Sequence, residues 1–216
     1  MNSEENILKT GTTTVGVMGK DFVVLAADKR ATAGRFIAGK NVQKVIPITD
    51  NIAVTTSGTV SDLQVLVRLL RAELSIKDTR TGRISNVKEA ANLLSGMTYS
   101  VIRRYTTIPG VCHFLLGGHD STGPQLYEIY PDGSITDISE DSGFVASGSG
   151  SELAYGLLED SWKKDLSEKE AVDLALRAVS SALQRDSASG QGVDIYVIDS
   201  KGVKKSVEKV LNTKLN

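Results

Sequence analysis

The chain has 216 residues, 40% of them hydrophobic and 24% charged, which is enough for one well-buried core and points to one domain. Its formal charge of -1 at pH 7 gives no bulk attraction to nucleic acid or to an anionic membrane, so neither is expected as a partner. A single cysteine excludes an internal disulfide, and no run of about 18 apolar residues offers a membrane-spanning helix.

The first residues, Met1-Asn2-Ser3-Glu4-Glu5-Asn6, are acidic and polar and lack the basic start and apolar stretch of a secretory signal, so an intracellular protein is expected. Gly11-Thr12-Thr13-Thr14-Val15-Gly16-Val17 then opens a β-rich run. Thr12–Val17 and Phe22–Asp28 read as a hairpin over Gly19-Lys20, followed by the charged triplet Asp28-Lys29-Arg30. Further antiparallel strands are expected at Val42–Ile48 and Ile52–Thr56, ahead of Ser57-Gly58-Thr59.

From Ser61 the period changes. Leu63, Leu66, Val67, Leu70 and Leu74 predict an amphipathic helix, and Val87, Ala90, Ala91, Leu94, Met97 and Val101 predict a second. The polar link from Lys77 to Arg83 suits an exposed turn between antiparallel helices. Strands resume through Val111–Leu116, Gln125–Tyr130 and Ser134–Ile138, the last two joined by the turn Pro131-Asp132-Gly133. Cys112 sits among Val111, Phe114 and Leu115 and reads as a buried strand residue. His113 lies in the same strand and His119 in a turn after Gly117-Gly118, both with structural roles, and no zinc spacing is convincing.

Gly148-Ser149-Gly150-Ser151 leads into a helix around Leu153–Glu159, with the serines as plausible caps. Ser167-Glu168-Lys169-Glu170 is a capping box, and Val172, Leu176, Val179 and Leu183 mark the apolar face of the helix it opens. After a turn over Asp186–Gly192, Val193–Ile198 is read as the final strand. Blocks of strands alternating with pairs of helices argue for an α+β fold, with enough of each for two sheets packed between helix layers.

The chemistry suggested by Gly11-Thr12 needs no histidine. A threonine hydroxyl is a weak nucleophile and requires a nearby base. Cutting between Gly11 and Thr12 would place an α-amino group, with an ordinary pKa of about 7.7–8.0, on the same residue as the hydroxyl. One residue would then supply nucleophile and base. Read alone, the stretch is equally well the first β-strand.

Thr12-Thr13-Thr14-Val15-Gly16, Asp28-Lys29-Arg30, Lys44, Ser57-Gly58, Gly148-Ser149-Gly150 and Arg185-Asp186-Ser187-Ala188-Ser189-Gly190, in that order, resemble the active β-subunits of 20S proteasomes. The short leader makes the resemblance archaeal in type. It implies a four-layer αββα sandwich of the N-terminal-nucleophile hydrolases. Residues 1–11 would be a propeptide, removed by self-cleavage between Gly11 and Thr12, and residues 12–216 a single catalytic domain. The implied assembly with α-subunits and other β-subunits is the α7β7β7α7 barrel, fed by ATP-dependent unfoldase caps in the cytoplasm. The implied activity is that of a threonine endopeptidase cutting unfolded polypeptide, with no metal or organic cofactor.

The resemblance also implies roles. Thr12 would be the nucleophile, Lys44 would stabilise the alkoxide and keep the α-amino group neutral, and Asp28 would orient the Lys44 ammonium. Without the resemblance, Asp28 and Lys44 read as an exposed ion pair. Gly58 would offer its backbone N–H to the oxyanion, and Ser149, Asp186 and Ser189 would form a polar cluster around the threonine. Ala31, Val42, Ile46, Thr56 and Val60 would surround the side chain before the cut, with Thr32 and Gly58 pairing with the substrate backbone. Those pocket residues include no acid and no base, so cleavage after hydrophobic residues is expected. The motif ends Ser189-Gly190-Gln191, where many relatives have a second glycine. Two other readings compete: a bacterial two-ring relative, which electron microscopy would separate by ring number, and a structural ring subunit that retains its leader.

Overall fold

The computed structural model describes residues 11–107 and 109–211. Residues 1–10 of the leader expected over 1–11, together with 108 and 212–216, lie outside them. In chain order the elements are β1 (Thr14–Met18), β2 (Val23–Asp28), β3 (Ala31–Ala33), β4 (Phe36–Gly39), β5 (Val45–Pro47), β6 (Ile52–Gly58), α1 (Val60–Thr81) and α2 (Val87–Ile102). They continue with β7 (Cys112–Asp120), β8 (Gly123–Ile129), β9 (Ile135–Asp137), β10 (Phe144–Ser147), α3 (Ser151–Ser161), α4 (Glu168–Leu183), β11 (Gly192–Asp199) and β12 (Gly202–Val210).

Two five-stranded antiparallel sheets, β10-β1-β2-β11-β12 and β5-β6-β7-β8-β9, carry the structure, with β3-β4 as a separate hairpin. β2 shows why they stack. Successive side chains of a strand point to opposite faces, and both faces of β2 are buried. Val24 and Ala26 face α3 and α4, packing with Ala154, Leu158, Ala175 and Ala178. Val23, Leu25 and Ala27 face the other sheet, meeting Ala53, Leu115 and Leu126. β7 repeats the division, sending Leu115 between the sheets and Phe114 and Leu116 toward Leu66, Leu70, Ala91 and Leu94 of α1 and α2. Three apolar interfaces therefore hold four layers, helices outside and sheets inside, which is the expected αββα sandwich. Fully burying each large apolar side chain contributes about 1.5–3 kcal/mol.

Four details differ from the sequence reading. α1 runs through Lys77 to Thr81 and stops at Gly82, whose φ of 67° closes the last turn by donating its N–H to the Asp78 carbonyl. His119 lies within β7, opposite Pro124 on β8, and the turn comes after it. The buried stripe of α4 is Ala171, Leu174, Ala175, Ala178, Val179 and Ala182, with Val172, Leu176 and Leu183 at its flanks; small residues let the helix lie close on the sheet. Finally, Val193–Ile198 is not the last strand, because β12 follows and pairs with β11 along its length. β12 is an edge strand rich in lysine, a composition that blunts sheet edges and hides the strand's apolar alternation. Cys112 is buried in β7 as expected, and burial pushes its thiol pKa up to about 12.

Candidate active site

Antiparallel pairing of β1 with β2 sets Thr14 against Ala27, and one step further the Asp28 amide donates to the Thr13 carbonyl at 3.1 Å. This register carries Asp28 to the base of the Thr12–Thr13 segment. The Asp28 carboxylate is fully buried and accepts from both sides. Its Oδ1 takes the Thr13 amide at 3.0 Å and the Lys44 Nζ at 2.7 Å, and its Oδ2 takes the Arg30 amide at 3.0 Å and the Gly190 amide at 2.9 Å. Asp28 and Lys44 are thus a buried ion pair rather than an exposed one. A buried pair with its remaining lone pairs satisfied holds one geometry at a high desolvation cost, which marks a positioned group rather than a stabilising ornament.

Lys44, directly before β5, aims its Nζ at Thr12. It lies 3.0 Å from Thr12 Oγ1 and 3.4 Å from the Gly11 carbonyl oxygen, while Thr12 Oγ1 itself donates to that carbonyl at 2.7 Å. Burial pushes the Lys44 pKa down, and the adjacent Asp28 carboxylate opposes the shift without reversing it. The ammonium is therefore easier to deprotonate than a surface lysine.

The serine cluster closes the other side. The Thr12 amide donates to Ser149 Oγ at 3.2 Å, and Ser149 Oγ donates to Asp186 Oδ2 at 2.6 Å. Ser189 Oγ reaches the same carboxylate oxygen at 2.6 Å and lies 2.7 Å from Thr13 Oγ1. Burial works to raise the Asp186 pKa, but bonds from the Ser149 and Ser189 hydroxyls and the Ala188 amide, with the Lys44 charge, bring it below the ordinary aspartate value. Helix capping does not account for Ser149, since Gly150 is the N-cap of α3 and no side chain caps it. The turn reading of Asp186–Gly190 holds alongside the cluster, because Asp186 Oδ1 also accepts from the Ala188 amide at 3.1 Å.

Ala31, Thr32, Val42, Ile46, Thr56, Gly58 and Val60 line one cavity of about 240 Å³ together with Gly11, Thr12 and Lys44. Its lining corrects one expectation. No acid is present, but Arg30, Arg68 and Arg71 are. Arg71 is bound to the Pro47 carbonyl and Arg30 donates to the Ser187 carbonyl at 2.8 Å, so Arg68 is the guanidinium most readily turned toward a ligand. Gln64, Arg68 and Arg71 recur at helical spacing on the exposed side of α1, a signal that the sequence held and that attention to the core face passed over.

Two backbone positions have positive φ near the site. Gly58 has φ 121°, and a Cβ there would lie 2.0 Å from the Val111 carbonyl oxygen, so only glycine fits. Gln191 has φ 69°, in the left-handed region that favours glycine. Relief of that strain should let Gln191→Gly raise stability by about 0.5–1 kcal/mol, read as an increase in denaturant midpoint at unchanged slope. An unchanged or lower midpoint would show that the buried Gln191 side chain contributes more than its backbone costs.

The β1–β2 pairing and the turn before β11 bring Thr12, Asp28, Lys44, Ser149, Asp186 and Ser189 together, and comparison with known proteins identifies the family. A family model described as proteasome subunit matches residues 8–198. The proteasome subunit beta of Ferroglobus placidus is 48% identical over 191 residues, covering 88% of each chain. That of Archaeoglobus fulgidus is 45% identical over 195 residues, covering 90% of this chain and 88% of the relative. That of Methanosphaerula palustris is 43% identical over 196 residues, covering 91% and 89%. The chain belongs to the proteasome subunit family, as an archaeal-type β-subunit of the 20S core and a threonine protease that assembles with α- and β-subunits.

Proposed function

We propose that Thr12 is the nucleophile and that the chain makes its own active form by cutting between Gly11 and Thr12. The observation that carries this reading is the placement of Lys44 Nζ 3.0 Å from Thr12 Oγ1 while Asp28 holds it at 2.7 Å. In the precursor, Lys44 in its neutral form takes the Oγ1 proton and Oγ1 attacks the Gly11 carbonyl carbon. The Gly11–Thr12 C–N bond breaks as the Thr12 nitrogen gains a proton, leaving Gly11 as an ester on Oγ1. Water then hydrolyses the ester, releasing residues 1–11 with a new carboxylate and leaving Thr12 with a free α-amino group. A Cβ on Gly11 would lie 1.7 Å from the Ala188 Cβ. Gly11→Val should therefore slow processing at least about tenfold by displacing the scissile carbonyl, measured as the time course of leader loss by mass spectrometry. Processing at the wild-type rate would show that the loop yields freely.

In the mature chain the α-amino group replaces lysine as base. Lys44 stays protonated, repels a proton from the amine and supports the developing alkoxide. Oγ1 attacks the scissile carbonyl, the Gly58 N–H receives the oxyanion, and the proton taken by the amine passes to the leaving amine. The acyl group is then removed by water. Ser149 Oγ, already 3.2 Å from the Thr12 nitrogen, orients the amine, with Asp186 and Ser189 behind it. No step calls for a metal or organic cofactor.

The substrate is unfolded polypeptide, fed by an ATP-dependent unfoldase into the chamber of an α7β7β7α7 barrel in the cytoplasm. Thr32 and Gly58 pair with its backbone, and the cavity beside Thr12 takes the side chain before the cut. Fluorogenic peptides ending in Leu, Tyr, Glu or Arg, assayed on the assembled particle, test the preference. Leu and Tyr should give the highest kcat/KM. Glu should rank above Arg, because Arg68 and Arg71 face the cavity and no acid does. A highest value for Arg would contradict the pocket assignment.

A further inference from the structure

A second, larger cavity of about 960 Å³ also opens on Thr12. It shares Ala31, Thr32 and Gly58 with the first, then continues past Ser147, Gly148 and Ser151 to a group the mechanism does not use: His113, Glu128 and Tyr130. The contrast with the first cavity is in charge. Among the residues lining this one there is neither lysine nor arginine, and Glu128 is the one carboxylate.

Glu128 is 4% exposed. Its Oε1 lies 2.8 Å from His113 Nε2, and its Oε2 accepts from the Tyr130 hydroxyl at 2.7 Å. The His113 and Tyr130 rings stack at 5.3 Å between centroids, holding both partners in place. These bonds fix the carboxylate without a permanent countercharge. Tyr130 is pushed up to about 12, by burial first and then by its bond to Glu128. Tyr155, also on the cavity wall, is raised by burial and by the Glu128 charge. Both phenols remain neutral, so neither cancels nor competes with the carboxylate. With no lysine or arginine in the lining, the Glu128 carboxylate is placed to receive a cation that enters on the substrate.

We propose that Glu128 is a specificity-determining residue, forming with His113 and Tyr130 a subsite for a Lys or Arg side chain of the polypeptide substrate. The side chain concerned is one other than the residue before the cut, which enters the smaller cavity. This inference rests on the reading of Thr12 as nucleophile. Substrates with an apolar residue before the cut and a cation elsewhere along the same strand would satisfy both cavities at once.

Quenched-fluorescence peptides with Leu fixed before the cut, carrying Lys, Gln or Glu in turn at each flanking position, test the proposal on the assembled particle. At one position Lys should exceed Gln by about tenfold in kcat/KM, with Glu below Gln. In Glu128→Gln particles the Lys-to-Gln ratio at that position should fall to near one, and because it is a ratio within one preparation, partial loss of assembly does not affect it. Should the variant fail to assemble, the wild-type scan still decides. Turnover with no Lys preference at any position would overturn the subsite while leaving Thr12 in place, as would a preference that survives Glu128→Gln. Absence of turnover with every peptide would overturn both readings.

Discussion

Thr12→Ala should lower peptide hydrolysis by the assembled particle at least about a thousandfold and leave residues 1–11 attached to the chain. The same atom explains both losses. Oγ1 is the nucleophile toward Gly11 in the precursor and toward substrate afterward, and no other hydroxyl lies within hydrogen-bond distance of Lys44 Nζ among the described residues. Thr12 is also small and its substitution removes no ion pair, so assembly should survive and the loss should be chemical. Thr12→Ser is the informative companion. It retains an oxygen at the same position and should keep both processing and a substantial part of turnover. A Thr12→Ala chain that still lost its leader within assembled particles would show that another subunit does the cutting.

Lys44→Ala and Lys44→Arg should each lower turnover by at least about a hundredfold, the range of a lost preorganised donor, because neither sets a compact ammonium against Thr12 Oγ1. Their other effects separate them. Lys44→Ala leaves the buried Asp28 carboxylate with only the Thr13, Arg30 and Gly190 amides, and breaking a buried pair costs about 3–5 kcal/mol of stability. Lys44→Arg keeps the charge but replaces a compact ammonium with a wide planar fork that does not titrate near neutrality. It should therefore assemble better than Lys44→Ala while remaining inactive. The pH dependence follows from the lowered Lys44 pKa. Neutral lysine is the base for self-cleavage, so leader loss in wild type should accelerate as pH rises, beginning at lower pH than an ordinary lysine would allow. Lys44→Arg should abolish that acceleration. Equal rates for wild type and Lys44→Arg across the pH range would remove Lys44 from the chemistry.

The layers of the fold were legible because burial leaves a periodic trace. Leu63, Leu66, Val67, Leu70 and Leu74 announce the inner face of α1, and all are buried in it. β12 left no such trace, since its residues are mostly exposed and its strand character comes from pairing with β11. α4 left a misleading one, because Val172 and Leu176 outweigh in hydrophobicity the alanines that touch the sheet. The site shows the same contrast. No local spacing joins Thr12, Asp28, Lys44, Ser149, Asp186 and Ser189, which meet only through the β1–β2 register and the turn before β11. Their ordered resemblance to a known family was the signal that united them. Arg68 and Arg71 escaped because a charged residue on the outer side of a helix reads as solvated, and only the placement of α1 beside the cavity gives them a ligand to meet. Gln191 was visible as a departure from the family motif, but its left-handed backbone belongs to the loop and not to the residue type.

The most direct test of the central claim is the intact mass of the β-chain taken from active wild-type particles, with its N-terminal residue confirmed by sequencing. A chain that begins at Thr12, with the mass of residues 1–11 missing, is the result required by a threonine whose own amine serves as base. An active particle whose β-chains retain Gly11 on Thr12 would contradict it, because the Thr12 nitrogen would then be an amide with no proton affinity to lend.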